Sequence, residues 1–392
     1  MKNAQLWSYG DFRSKAHSRL PRPLFHYIDG GAGAEWSLAN NVAAFSRYQL
    51  LPRAMVDVSA VEAGTTLLGR AVGMPLLLSP TGMTRLFHHH RELGVARAAA
   101  LAGIPYCLST MATTSIEAVA EVGPGVRMFQ IYVLRDRGLT REFVQRARES
   151  GYDALCLTVD TPVAGVRERD RRYGMTMPPR LTARTLLDFV LRPHWLANWI
   201  RDGDFRLANI THRVDALGAG SMGLIDYVNS QFDRSVTWKD AEWMATEWGG
   251  HFVVKGVSTL EDCRSAVDAG ATSLMVSNHG GRQLDGAPAP LDVVASVRSA
   301  LGGAIELIVD GGVRRGGDIA RALALGANGC SIGRPYLFAL AAGGEAGVSR
   351  LLRLMREEFE TTMALMGATR PQDLGGRAIP VGHGAEPSAC WP

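Results

Sequence analysis

Ser273-Leu274-Met275-Val276-Ser277-Asn278-His279-Gly280-Gly281-Arg282-Gln283 opens as an apolar run of strand length and closes on an imidazole and a guanidinium three residues apart. The run reads as a buried β-strand. The two functional side chains therefore sit just past a strand end. Gly280 and Gly281 between them let the backbone turn sharply and approach a ligand closely. A base beside a carboxylate-gripping cation is what proton abstraction from a small acid requires. The alternative is a plain glycine turn with two exposed polar side chains, and the other strand ends decide between the two.

Seven more short apolar runs occur, at 75–78, 105–108, 128–132, 154–159, 251–254, 306–309 and 329–332. Amphipathic stretches follow most of the runs, at 91–102, 140–150, 259–269, 290–301 and 317–325. Eight β-then-α units with parallel connectivity predict an α/β fold, a closed (β/α)8 TIM barrel rather than an open sheet. Every run ends in polar, charged or glycine-rich sequence. In order these ends are Ser79-Pro80-Thr81-Gly82, Ser109-Thr110, Gln130 with Tyr132, Thr158 with Asp160, Lys255-Gly256, Ser277-Asn278-His279, Asp310-Gly311-Gly312 and Gly333-Arg334. In a barrel all eight share one rim, where barrel active sites lie. Solvated loops seldom place a His, a Lys, two Asp and an Arg there by chance.

The 392 residues, 46% hydrophobic and 20% charged, have ordinary globular composition. A net charge of +4 is small for this length and gives no reason to invoke nucleic acid. Lys2, Lys15, Lys239 and Lys255 are the only lysines, which singles out Lys255 at its strand end. Cys107, Cys156, Cys263, Cys330 and Cys390 show no disulfide-like or CxxC spacing, so buried thiols in a reducing compartment are expected. The first ten residues carry no apolar signal-peptide core, and no run of about 18 apolar residues spans a membrane. One catalytic unit is expected, with an N-terminal helical extension at 1–70, the barrel at 71–342 and a C-terminal helix and tail at 343–392.

A long insertion at 161–236 interrupts the barrel after the fourth strand. Connections of that length are usually functional. Within it, Leu186-Leu187-Asp188-Phe189-Val190-Leu191 and Trp195-Leu196-Ala197-Asn198-Trp199-Ile200 form an apolar patch flanked by Arg184, Arg192 and Arg201. Tryptophans beside arginines suit a membrane interface, while core packing or an oligomer contact are the alternatives.

The seventh and eighth strand ends, Asp310-Gly311-Gly312-Val313-Arg314 and Gly333-Arg334, lie side by side where barrels commonly bind phosphate. A phosphate-bearing cofactor fits them better than a phosphorylated substrate, since the catalytic candidates lie opposite. Asp160 is placed to orient His279 and stabilise its imidazolium. Arg167 can share a carboxylate with Arg282. His88-His89-His90 invites a metal reading. Three consecutive histidines do not readily face one ion, so a polar loop opening the next helix is expected and no metal is assigned.

The stretch Ser277 to Asp285 resembles the active-site signature of the FMN-dependent 2-hydroxy acid oxidases and dehydrogenases. The resemblance runs from Tyr27 to Leu365. It implies FMN as cofactor and a small 2-hydroxy acid as substrate. It implies that His279 is the base, that Arg282 and Arg167 grip the substrate carboxylate, that Tyr27 and Tyr132 hydrogen-bond the substrate and that Asp160 partners His279. Lys255 would lie at the N1/O2 edge of the flavin. Ser109, Gln130 and Thr158 would bond its polar edge, Thr81 and Gly82 would approach N5, and Ser277 would complete this side. Asp310 would take the ribityl chain, and Gly312, Arg314, Gly333 and Arg334 the phosphate. Oxidases of the family often carry alanine at position 82. Glycine looks more like the membrane-associated mandelate and lactate dehydrogenases, in which an apolar insertion binds the membrane and electrons pass to a quinone. The resemblance therefore implies a cytoplasmic, peripheral membrane enzyme acting on S-mandelate or L-lactate, and a homotetramer, with an oxygen-using oxidase as the alternative. His26 stands where a second tyrosine is common, and Met111 occupies a pocket position whose size varies with substrate.

Overall fold

The computed structural model describes residues 6–175, 182–202, 205–210 and 232–381. Parts of the expected insertion (176–181, 203–204 and 211–231), Cys390 and the rest of the 382–392 tail lie outside the described residues. All eight expected runs are strands: β1 (Leu76–Leu78), β2 (Tyr106–Ser109), β3 (Arg127–Ile131), β4 (Ala154–Thr158), β5 (His251–Val257), β6 (Ser273–Ser277), β7 (Glu306–Asp310) and β8 (Gly329–Ile332). They pair in parallel and in chain order, and β8 pairs with β1, so the sheet closes into a barrel. The expected helices lie between them, with Arg91–Ala102 and Pro290–Leu301 at the expected limits.

Side chains on a strand alternate between its two faces. In a closed barrel one of those faces is the narrow interior. Leu77, Cys107, Met128, Cys156, Val253, Met275 and Ile308 form one buried apolar cluster at that interior, floored by Leu68. Two residues onward along the same strands stand Ser79, Ser109, Gln130, Thr158, Lys255, Ser277 and Asp310, every one buried. The period of two therefore stacks a polar layer directly above an apolar floor. The register Ser109↔Gln130, Thr158↔Lys255 and Asp310↔Ser277 sets these residues side by side.

The polar layer is internally bonded. Lys255 Nζ lies 3.1 Å from Asp310 Oδ2 and donates to Ser277 Oγ at 3.2 Å. Ser277 and Ser79 donate to the two Asp310 oxygens at 2.7 and 2.6 Å. Burial alone would lower the Lys255 ammonium, yet the Asp310 and Asp160 carboxylates hold it above the ordinary lysine value. Burial alone would raise Asp310, and Lys255 with the two serines hold it below the usual carboxylate value.

Outside the barrel the N-terminal part holds helices Tyr9–Arg19, Arg22–Asp29 and Trp36–Ala43. Two additions to the expected helices and turns are found there. Thr65–Leu67 and Arg70–Val72 form a hairpin, and its turn supplies Leu68 to the barrel floor. Tyr48–Leu50 pairs antiparallel with Ala378–Pro380 and ties the two ends of the chain together. The last helix, Arg334–Leu365, is broken at Gly343 and Gly344, where Gly344 takes φ 62°.

Lys255→Met removes the cation and leaves a buried carboxylate without its charge partner. Such a loss costs about 3–5 kcal/mol. Denaturant unfolding should show a drop of that size, with Lys255→Met/Asp310→Asn recovering part of it. A Lys255→Met protein as stable as the parent would contradict the charged layer described.

Candidate active site

The segment after β6 folds back through three consecutive left-handed residues, His279 (φ 58°), Gly280 (φ 62°) and Gly281 (φ 71°). A non-glycine there is held only by its surroundings. The His279 amide donates to Ser277 Oγ at 3.0 Å, and the Gly281 amide to Asn278 Oδ1 at 3.0 Å. Asn278 is itself locked by a reciprocal amide pair with Asn41, 2.7 Å in each direction. Gly281 must be glycine for a second reason: a Cβ there would lie 2.6 Å from the Leu38 amide. The N-terminal extension therefore presses on the turn that carries His279 and Arg282.

His279 Nδ1 and Asp160 Oδ1 are 2.9 Å apart. With the proton of Nδ1 donated to the carboxylate, Nε2 keeps its lone pair. Partial burial alone would raise the Asp160 pKa, but His279 and then Lys255 hold it below the usual carboxylate value. Arg282 stacks over the Tyr27 ring at 4.8 Å and donates to the carbonyls of Tyr27 and Gly30. Arg167 lies over the same ring at 5.6 Å and pairs with Asp170 at 3.3 Å. Burial first, and Arg167 second, lower the Arg282 guanidinium from its ordinary value. Two cations stand over one ring and, among the described residues, only Arg167 is paired, with Asp170, so the cluster can take one more carboxylate. Tyr132 meets Phe232 edge-on at 5.2 Å, and burial followed by Asp160 raises its phenol above the usual value.

These residues surround a cavity of about 830 Å³. Tyr27, Tyr132, Arg167, His279 and Arg282 line one part of it. Thr81, Gly82, Ser109, Lys255, Asp310, Gly312, Arg314, Gly333 and Arg334 are among the other residues that line it. Gln130, Thr158, Asp160 and Ser277 stand just behind that lining, in or beside the polar layer. All the site residues expected from the sequence are thus brought to one end of the barrel.

The residues present fit a flavin mononucleotide. Gln130 Nε2 and Thr158 Oγ1 are buried with no hydrogen-bond partner, a costly state unless a polar ring edge meets them. Ser109 Oγ, close by, donates to Gln130 Oε1 at 3.0 Å. At the other end, Arg334 donates to the carbonyls of Ile28, Gly30 and Gly280 at 2.7–2.8 Å. One hydrogen on each terminal nitrogen of its fork stays free for an anion. Burial, with Arg282 and Arg314 nearby, pushes Arg334 down to about 9. A phosphate dianion would relieve that repulsion. Arg314 stacks on Tyr9 at 4.7 Å.

Reading the sequence missed the Asn41–Asn278 pair and the triple carbonyl clamp of Arg334, since neither has a local pattern. At Gly82, a Cβ would stand 2.8 Å from Met111 Cβ and 3.2 Å from Met111 O, so Met111 occupies the space that alanine would need. His26, in place of the common tyrosine, stacks on Tyr173 at 3.9 Å.

His88, His89 and His90 bring their ring nitrogens within 4.8 Å of one another. The His90 amide donates to His88 Nδ1 at 3.1 Å, and the Glu345 amide to His90 Nδ1 at 3.0 Å. Those two rings, when neutral, carry their proton on Nε2 and have no lone pair left for a cation. His89 Nδ1 is bonded to Asn198 Oδ1. Burial, then His90 and His89, push His88 down to about 3. The cluster packs the insertion against the barrel.

Among its described residues that insertion forms the short helix Glu168–Tyr173 at its start and then the pair Ala183–Val190 and Pro193–Arg201. The tryptophans do not face outward as their position beside arginines had suggested. Trp195 is buried and donates Nε1–H to Leu86 O at 2.8 Å, and Trp199 lies under the buried Arg85 at 4.7 Å. Asp188 and Asp202 anchor the pair to Arg22 and Arg91 at 2.9 and 2.6 Å. Leu186, Leu187, Val190, Leu191 and Ile200 are left exposed, from 50% to 74%. Among the described residues no helix is long and apolar enough to cross a membrane.

A sequence model described as FMN-dependent dehydrogenase matches residues 16–380. Glycolate oxidase 1 of Oryza sativa subsp. indica is 43% identical over 366 residues, 93% of this chain and 93% of that protein. L-lactate dehydrogenase of Caulobacter vibrioides is 43% identical over 363 residues, covering 91% and 93%. The crystal structure of the monotopic membrane protein (S)-mandelate dehydrogenase superposes with a TM-score of 0.90 at 35% identity, covering 96% of this chain and all of that one. The chain belongs to the FMN-dependent dehydrogenase family and is an FMN-dependent 2-hydroxy acid oxidoreductase.

Proposed function

We propose that the chain oxidises an L-2-hydroxy acid, S-mandelate or L-lactate, to the 2-oxo acid, and passes the electrons to a membrane quinone rather than to oxygen. The observation that carries this reading is the His279–Asp160 pair at 2.9 Å, set in one cavity with Arg282 and Arg167. FMN, when bound, supplies the acceptor for the two electrons released at the substrate carbon. Arg282 and Arg167 hold the substrate carboxylate and fix its orientation. Tyr27 and Tyr132 hydrogen-bond the substrate at the cavity wall. His279 Nε2 takes up the substrate proton, and the charge that forms on the imidazole is stabilised by Asp160. Lys255 would serve as a fixed cation beside the flavin N1/O2 edge and favour the negative charge that reduction brings. Ser109, Gln130, Thr158 and Ser277 would hold the flavin's polar edge, with Thr81 and Gly82 on the N5 side. Asp310 would take the ribityl chain, and Gly312, Arg314, Gly333 and Arg334 the phosphate.

Two features favour a membrane acceptor. Gly82 leaves position 82 without the methyl group common in oxidases, and Met111 fills that space. The insertion presents an aliphatic face of Leu186, Leu187, Val190, Leu191 and Ile200 on helices anchored to the barrel by ion pairs and stacked rings. That face suits peripheral attachment to the inner side of the cell membrane, with a homotetramer as the assembly. The similarity to glycolate oxidases favours a second reading, an oxygen-using oxidase. Peroxide formed in step with substrate consumption would select it.

His279→Ala should retain its flavin spectrum and lose substrate-driven flavin reduction by about 10²–10⁴-fold, measured by anaerobic stopped flow. Reduction at the parental rate would remove His279 as the base. Replacing Val190, Leu191 and Ile200 together by serine should lower co-sedimentation with lipid vesicles by at least about tenfold, with flavin retained. Unchanged co-sedimentation would assign the aliphatic face to an oligomer contact.

A further inference from the structure

The cavity carries more positive charge than the proposed reaction uses. Lys255 is neutralised by Asp310, Arg282 and Arg167 serve the substrate carboxylate, and Arg314 and Arg334 serve the phosphate. Three further cations, Arg135, Arg171 and Arg234, line the same cavity and are exposed at its mouth. Among the described residues none of these three guanidinium groups takes part in a hydrogen bond, ion pair or ring contact.

The acidic residues next in sequence to Arg234 and Arg171, Asp233 and Asp170, are spent elsewhere. Arg137, two residues past Arg135, takes both Asp233 at 2.8 Å and Asp240 at 3.0 Å. Asp233, the neighbour of Arg234, is thereby unavailable to it. Arg169, two residues before Arg171, takes Asp29 at 2.8 Å and Glu35 at 2.6 Å. Asp170 is paired with Arg167. The three free cations come from separate segments. Arg135 follows β3, Arg171 lies on the short helix Glu168–Tyr173 after β4, and Arg234 precedes helix Trp238–Trp248. An antiparallel bridge between Leu134 and Phe232 brings the first and third together, beside Tyr132.

We propose that Arg135, Arg171 and Arg234 form an anion-capture rim that draws anionic 2-hydroxy acids into the site and favours those carrying a second carboxylate. The proposal rests on the reading of the cavity as a 2-hydroxy acid site. Like charges lining a cleft focus its field and concentrate the opposite ion. At physiological ionic strength that attraction reaches about 8 Å. A monocarboxylate spends its only charge on Arg282 and Arg167 once it is seated. A dicarboxylate has a second anion left for a guanidinium fork at the mouth.

The test is calorimetric titration of the flavin-loaded protein with pyruvate, a monoanion, and 2-oxoglutarate, a dianion, at low and at physiological ionic strength. The parent should bind the dianion more tightly, and added salt should shrink the difference. Arg135→Gln/Arg171→Gln/Arg234→Gln should lose roughly tenfold in dianion affinity and clearly less in monoanion affinity. If the triple variant loses its flavin, the three single variants replace it, each with a smaller loss of the same sign. An equal ratio of the two affinities in parent and variant would overturn the rim. Flavin reduction by L-lactate, followed in the same preparations, separates the two readings. Reduction without charge-selective binding sinks the rim alone. Charge-selective binding without reduction by any 2-hydroxy acid sinks the proposed function and leaves the rim standing.

Discussion

A cation buried with its carboxylate in the top layer of a closed barrel is the interaction on which the site rests. Lys255 and Asp310 sit at 3.1 Å with two serines completing the carboxylate. Taking either charge out of water alone costs several kcal/mol. The pair persists because strand alternation leaves it no other place. Val253 and Ile308 point into the apolar floor, so the residues two further along must point into the same space. The outcome is a rigid polar platform, with Gln130 Nε2 and Thr158 Oγ1 unpaired among bonded neighbours. Those unpaired atoms are where a cofactor with a polar edge gains most, because it ends a desolvation cost already incurred.

The barrel supplies only half of the cavity. The other half is assembled by parts that lie far apart in the chain. Arg334, at the end of β8, holds the carbonyls of Ile28 and Gly30 from the N-terminal extension and of Gly280 from the turn after β6. Arg169 ties the loop after β4 to Asp29 and Glu35. Arg282 and Arg167 are thereby set over one tyrosine ring, where burial and the nearby Arg167 lower the Arg282 guanidinium and a carboxylate would be welcome. Preorganisation of this kind spares the substrate the work of ordering the site.

Much of this was legible in the sequence because it obeys local rules. Eight apolar runs with polar ends gave the strands within a residue or three, and Ser277 to Gln283 pointed to its own chemistry. Lys255 stood out because lysine is rare here. What stayed hidden has no period. The Asn41–Asn278 amide pair and the Arg334 clamp join residues from 54 to 306 positions apart. The strand Tyr48–Leu50 is three residues long and pairs only with the far end of the chain. Trp195 and Trp199 suited either a membrane interface or core packing, and both turn toward the barrel, where Leu86 O and Arg85 meet them. Composition marks such a helix pair as amphipathic without saying which side is covered. The arginines at the mouth were invisible for a different reason. A free guanidinium differs from a paired one only in its neighbours.

Anaerobic mixing of the purified protein with S-mandelate and, separately, with L-lactate, while flavin absorbance is followed, tests the central claim most directly. At least one of the two should bleach the flavin rapidly without oxygen, and its mirror-image acid should not. Faster bleaching by mandelate would mark a pocket built for an aryl group, and faster bleaching by lactate a small one. A flavin that stays oxidised with both acids would rule out oxidation of S-mandelate and of L-lactate at this site.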